Sequence, residues 1–132
     1  MINIVVVSHG NLAAELIKSA EMIAGETQDV YYVTLHPGDT PESFQEKIDA
    51  TMAKIEGQET LILIDIFSGT PYNITAKQLL KDNVECVTGA NLPMLIEAIL
   101  SREDANVVEL AESISQAGID SVKNLKPMLR KR

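Results

Sequence analysis

Four short apolar runs, each followed by a segment with helical spacing, constrain this chain more than any other feature. The runs cover residues 2–7, 30–35, 60–64 and 84–88. All but the second are near-continuous in apolar and β-branched residues, the pattern of parallel strands covered on both faces. Strands that alternate with helices imply an α/β fold with a mostly parallel sheet and right-handed crossovers. The expected architecture is a small doubly wound sheet in the order 2-1-3-4, with helices on both faces. That order sets strand 1 beside strand 3 at the switch point.

The intervening segments carry their own start and stop signals. The first places Leu12, Leu16, Ile17, Ala20, Ile23 and Ala24 on one stripe and stops at Gly25. The second opens on Thr40-Pro41-Glu42, an N-cap followed by proline at the first helical position. It presents Phe44, Ile48, Met52 and Ile55 and ends at Gly57. The third opens on Thr70-Pro71 by the same logic and is expected to bury Ile74, Leu79 and Leu80. The fourth follows Pro93 and is apolar from Met94 to Leu100, as a core or subunit interface would be. A fifth helix is expected over 107–117, ending at Gly118. Residues 119–125 fit a helix by their apolar spacing, or an edge strand by their length.

Composition narrows the function classes. The length fits one compact domain over residues 1–132. A hydrophobic fraction of 45% supports a core and argues against disorder. The formal net charge of −8 disfavours nucleic acid and anionic membrane as partners, because phosphate surfaces recruit Lys and Arg. The basic cluster at 126–132 reads as a solvated chain end. The single Cys86 excludes an intramolecular disulfide, reads as a buried small apolar residue, and fits a reducing compartment. No run approaches the roughly 20 apolar residues of a membrane span, and no basic region precedes the first strand. A cytoplasmic chain without membrane insertion is expected. Neither G-x-G-x-x-G nor G-x-x-x-x-G-K-[ST] is present, and no His, Cys, Asp and Glu cluster has zinc-ligand spacing. No cofactor and no metal are expected.

The chemistry gathers at the carboxyl ends of strands 1 and 3, where open α/β sheets bind ligands. Strand 1 ends in Ser8-His9-Gly10. Strand 3 ends in Asp65-Ile66-Phe67-Ser68-Gly69-Thr70-Pro71. With strands 1 and 3 adjacent, His9 and Asp65 become neighbours across the crevice. Neutral imidazole is a capable nucleophile, and a carboxylate on one ring nitrogen leaves the other lone pair free. Phosphoryl transfer needs donors for the equatorial oxygens. Backbone N–H groups at Gly10 and Gly69 and the hydroxyls of Ser68 and Thr70 are the candidates. Each residue also has a structural reading: Asp65 as a turn residue, Gly69 as a bend, Thr70 as a helix cap. His36, in Leu35-His36-Pro37-Gly38, reads as a solvated loop histidine.

These motifs together resemble the enzyme IIA domain of the mannose class of the bacterial sugar phosphotransferase system. The likeness is carried by Val7-Ser8-His9-Gly10, Ala20-Glu21-Met22 with Gly25-Glu26, and Pro37-Gly38. It continues through Asp65 to Asn73 and through Gly89-Ala90-Asn91-Leu92-Pro93-Met94-Leu95. The resemblance implies that His9 takes a phosphoryl group from phospho-HPr and passes it to a IIB component for sugar uptake. It implies that Asp65 holds the histidine ring and that Thr70 lies near the phosphate. It further implies a homodimer whose C-terminal segment is exchanged between subunits as an edge strand, giving 119–125 that role. Ser68 stands where the family commonly has glycine, and Thr70 where it has serine. Without a second domain, IIB would be a separate polypeptide. The alternatives are a receiver-type signalling domain phosphorylated on Asp65, and the phosphoryl-donor domain of a dihydroxyacetone kinase system. A receiver, however, needs an acidic pair after strand 1, where Ser8-His9 stand.

Overall fold

The first strand, β1 (Asn3–His9), runs through the middle of a four-stranded sheet in a computed structural model that describes residues 1–130. Around it lie β2 (Val30–Leu35), β3 (Thr60–Ile64) and β4 (Val84–Thr88), all parallel, in the order β2-β1-β3-β4. This is the expected doubly wound order. Three strands keep their expected bounds, and β1 is displaced by one residue at its start and two at its end. The register pairs His9 with Leu35 on one side and Val7 with Ile64 on the other.

Strand periodicity of two explains the two cores. Ile4 and Val6 point to one face, where they pack with Leu61 and Leu63 against three helices. Those helices are α1 (Leu12–Ala24), α4 (Leu92–Ser101) and α5 (Val107–Asp120). Val5 and Val7 point to the other face, with Ile62, Ile64, Phe44, Ile48 and Ile74. That face is covered by α2 (Pro41–Ala53) and α3 (Gly69–Thr75), the latter tightening into a 3₁₀ turn over Ala76–Leu80. α2 is closed by a reciprocal cap between Thr40 and Ser43, with Pro41 in its first turn.

Several expectations need correction. The buried stripe of α1 is Ala13, Ala14, Ile17 and Ala20, while Leu12 and Ile23 are exposed. Three alanines and Ile17 form the face toward the core, with Leu16 partly buried beside it, while Leu12 and Ile23 lie outside that face. Leu79 and Leu80 are also exposed, because the switch to three residues per turn after Thr75 rotates them off the buried face. Residues 119–125 do not form an edge strand in this chain. Ile119 and Asp120 complete α5, and a short irregular link leads to α6 (Leu125–Arg130). The capping box of Asn106 and Glu109 starts α5, and its apolar face carries the helix past Gly118. A Cβ at Gly118 would stand 2.6 Å from the Met94 sulfur, so a larger residue there has to displace the Met94 side chain. Residues 131–132, part of the basic cluster, lie outside the described residues.

The amino end of the sheet is tied by Arg102, which is 5% exposed. Its guanidinium donates to the carbonyl oxygens of Ile2, Gln28 and Asp29 and to Thr27 Oγ1. Desolvation lowers its pKa.

Candidate active site at the ends of β1 and β3

His9 is the last residue of β1, and Asp65 follows directly on β3. The backbone N–H of Asp65 donates to Val7 O at 3.0 Å, so the parallel ladder continues one step past the strand and sets the carboxylate beside His9. Asp65 Oδ2 then accepts the His9 backbone N–H at 2.9 Å and meets His9 Nδ1 at 2.9 Å. Oδ1 accepts the Ile66 N–H at 3.0 Å. Both carboxylate oxygens are engaged, and the Asp65 side chain is only 8% exposed. The His9 side chain is 46% exposed. A carboxylate can only accept, so its contact places the ring proton on Nδ1 and leaves the Nε2 lone pair free.

Nε2 faces the start of α3. A Cβ built on Gly69 would lie 3.2 Å from it, and Gly69 holds a φ of 85°. Glycine is needed at this position for both reasons. Ser68 precedes it in extended conformation and is exposed, and its side chain makes no cap bond. Thr70 is half-buried in the first turn rather than capping it. Gly10 supplies the left-handed turn after His9, with φ 55°. Its N–H, however, donates to Leu35 O at 2.7 Å and is committed to the sheet end. The structure therefore brings His9, Asp65, Gly69 and the Ser68–Thr70 backbone together and turns the Gly10 donor away.

The EIIA-man family model, described as PTS system fructose IIA component, matches residues 3–115. The chain belongs to this EIIA family. The mannose-specific EIIAB component of Escherichia coli (strain K12) is 35% identical over 128 residues, which cover 95% of the chain. The chain spans only 40% of the length of that relative. The fructose-specific EIIA component of Bacillus subtilis (strain 168) is 34% identical over 116 residues, covering 86% of the chain and 80% of the relative. Among solved structures, the mannose/sorbose-specific IIA subunit from Enterococcus faecalis superposes with a TM-score of 0.88. It is 32% identical, and the match covers 95% of each chain.

Around the site, this EIIA chain shows features that sequence reasoning passed over. Ser8 is buried directly before His9, and a hydroxyl three residues ahead of a helix cap was the signal for it. His36 is exposed, as expected, but its Nε2 meets Thr34 Oγ1 at 2.9 Å. Its backbone N–H donates to Asp39, which also accepts from Lys47 Nζ at 2.7 Å. The Lys47 bond, the His36 amide and Ser43 hold the Asp39 carboxyl well below the usual carboxylate range. A groove of about 500 Å³ lies along the open edge of β4, beside Thr88, Asn91 and Val122, rather than over His9. Among the described residues no helix is long and apolar enough to cross a membrane, and no acidic, His and Cys cluster could hold a metal ion.

Proposed function

We propose that this EIIA chain is a phosphoryl carrier in which His9 takes a phosphoryl group from phospho-HPr and gives it to a IIB component. One observation carries the reading: Asp65 Oδ2 holds Nδ1 at 2.9 Å while Nε2 faces the open Gly69 side. In the first half-reaction the Nε2 lone pair attacks phosphorus in line, and an Nε2–P bond forms. The bond from phosphorus to the donor breaks, and its electron pair leaves with the donor. The Nδ1 proton stays on the ring, shared with Asp65, which stabilises the imidazolium character that develops. The second half-reaction reverses these roles, with IIB supplying the nucleophile. Backbone N–H groups at Gly69 and Thr70, with the hydroxyls of Ser68 and Thr70, receive the phosphoryl oxygens. Ile66 and Phe67 are exposed apolar side chains beside the site and suit a protein partner better than a small polar one.

Residues 1–132 act in this reading as one EIIA unit, working in the cytoplasm as a homodimer and without a metal or cofactor of their own. The names of the relatives contain mannose, fructose and sorbose. A receiver mechanism would phosphorylate Asp65, but both of its oxygens already accept hydrogen bonds from the chain and its side chain is buried.

The test is phosphorylation by phosphoenolpyruvate, enzyme I and HPr, read by intact mass with and without acid. The expected result is one acid-labile phosphate that is absent in His9→Ala. Residual labelling of His9→Ala by HPr, or labelling of Asp65 by acetyl phosphate with Mg²⁺ instead, overturns the assignment.

A further inference from the structure

We infer that Ser8 is a positioning residue for His9, setting the tautomer and aim of the imidazole by pinning the turn between β1 and α1. The inference rests on the carrier reading of His9. Ser8 is 1% exposed and lies on the α1 side of β1, opposite the face that carries His9. Its Oγ accepts the N–H of Ala13 at 2.8 Å and donates to the carbonyl oxygen of Gly10 at 3.3 Å. Asn11, in the N-cap place of α1, has φ −88° and ψ 8° and makes no side-chain cap bond. An orphan amide of the first turn is therefore satisfied from three residues upstream of the cap. Ala13 is fully buried, so loss of the Ser8 hydroxyl leaves its N–H without a partner.

These two bonds clasp the chain on both sides of His9. Between them Gly10 takes its left-handed turn and its N–H closes on Leu35 O at 2.7 Å. The His9 backbone N–H and Nδ1 both meet the same Asp65 oxygen, each at 2.9 Å. A shift of the turn lengthens both contacts together. The Ser8 hydroxyl bonds to the backbone of Gly10 and Ala13 rather than to the ring or Asp65, and so acts through the backbone that carries His9.

The test compares the full chain, ¹⁵N-labelled at histidine, as wild type, Ser8→Ala, Ser8→Thr and Asn106→Ala. The last removes the Asn106 oxygen that accepts Glu109 N–H at 2.9 Å on α5, a cap loss away from His9. Ser8→Ala and Asn106→Ala are both expected to lower thermal stability. Only Ser8→Ala is expected to move the His9 imidazole nitrogen signals away from the Nδ1–H pattern. Only Ser8→Ala is expected to lower kcat for phosphorylation by phospho-HPr, by about tenfold with KM unchanged. Ser8→Thr keeps the acceptor oxygen and the wild-type spectrum. A wild-type spectrum or rate in Ser8→Ala, a shifted one in Ser8→Thr, or an equal shift in Asn106→Ala overturns the inference. The imidazole spectrum is recorded without any phosphoryl donor. Failure of the wild type to accept phosphate therefore overturns the carrier reading alone, and the tautomer then decides the role of Ser8.

Discussion

Gly69 lies so close to the His9 imidazole that a Cβ on it would stand 3.2 Å from Nε2 and 3.3 Å from Cε1. The ring is anchored by Asp65 at Nδ1 and half exposed otherwise, so an added Cβ would push it off its aim. The glycine keeps the reactive nitrogen uncovered, and its φ of 85° turns the start of α3 toward it.

Gly69→Ala is accordingly expected to slow transfer more than it unfolds the chain. The positive φ costs about 1–2 kcal/mol for an L side chain. Displacing the ring by a few tenths of an ångström costs about tenfold or more in kcat. Quench-flow phosphorylation with urea denaturation on the same variant separates the two. A wild-type rate would show that the ring yields without loss of aim.

Asp65→Asn removes the charge that holds the Nδ1 proton while keeping the size of the side chain. The expected outcome is a fall of about 10- to 100-fold in the rate of His9 phosphorylation, with the acceptor still present. Single-turnover kinetics with phospho-HPr measure it. An unchanged rate would deny Asp65 its orienting role.

Cys86 on β4 is half-buried beside the edge groove rather than fully buried as expected, and desolvation pushes its thiol up to about 12, with Glu85 adding to the rise. At pH 8 the native thiolate fraction is then on the order of 10⁻⁴, against roughly a quarter for an unfolded thiol near 8.5. Labelling with a disulfide reagent should be more than about 10³-fold slower in the folded chain than in denaturant. The folded form keeps its proton while the unfolded form loses it, so this contribution to stability is full below about pH 8.5. It is lost as pH rises through about 12. Cys86→Ala should flatten that alkaline decline, and rapid native labelling at pH 8 would contradict the raised thiol.

Arg102→Met should cost about 3 kcal/mol, because it leaves three backbone carbonyl oxygens and Thr27 Oγ1 without their shared donor. Arg102→Lys recovers only part of it, since an ammonium cannot reproduce the planar fork. Both variants should phosphorylate at the wild-type rate once folded. Arg102 ties the amino ends of the strands, and His9 lies at their carboxyl ends. Denaturation midpoints and initial rates check the two halves, and a large rate loss with intact stability would break the separation.

The sequence alone determined the alternation of strands and helices, for which a doubly wound order with β1 beside β3 is a common arrangement and the one the fold adopts. Continuous apolar strands and capped helices are local patterns, and Thr40-Pro41 or the run of residues 60–64 can be read without any partner in view. The juxtaposition of His9 and Asp65 followed from that order. Tertiary structure decided what depends on packing distance and on competition for hydrogen bonds. It turned Leu12 and Ile23 outward, because the face of α1 that meets the core is centred on Ala13, Ile17 and Ala20. It committed the Gly10 donor to Leu35, made residues 119–120 the end of a helix, and gave Ser8 the amide of Ala13. The outward turn of Leu12 and Ile23, the Gly10 bond and the Ser8 bond have no sequence period, because each depends on which packing and which hydrogen-bond partner is lowest in free energy in the folded chain.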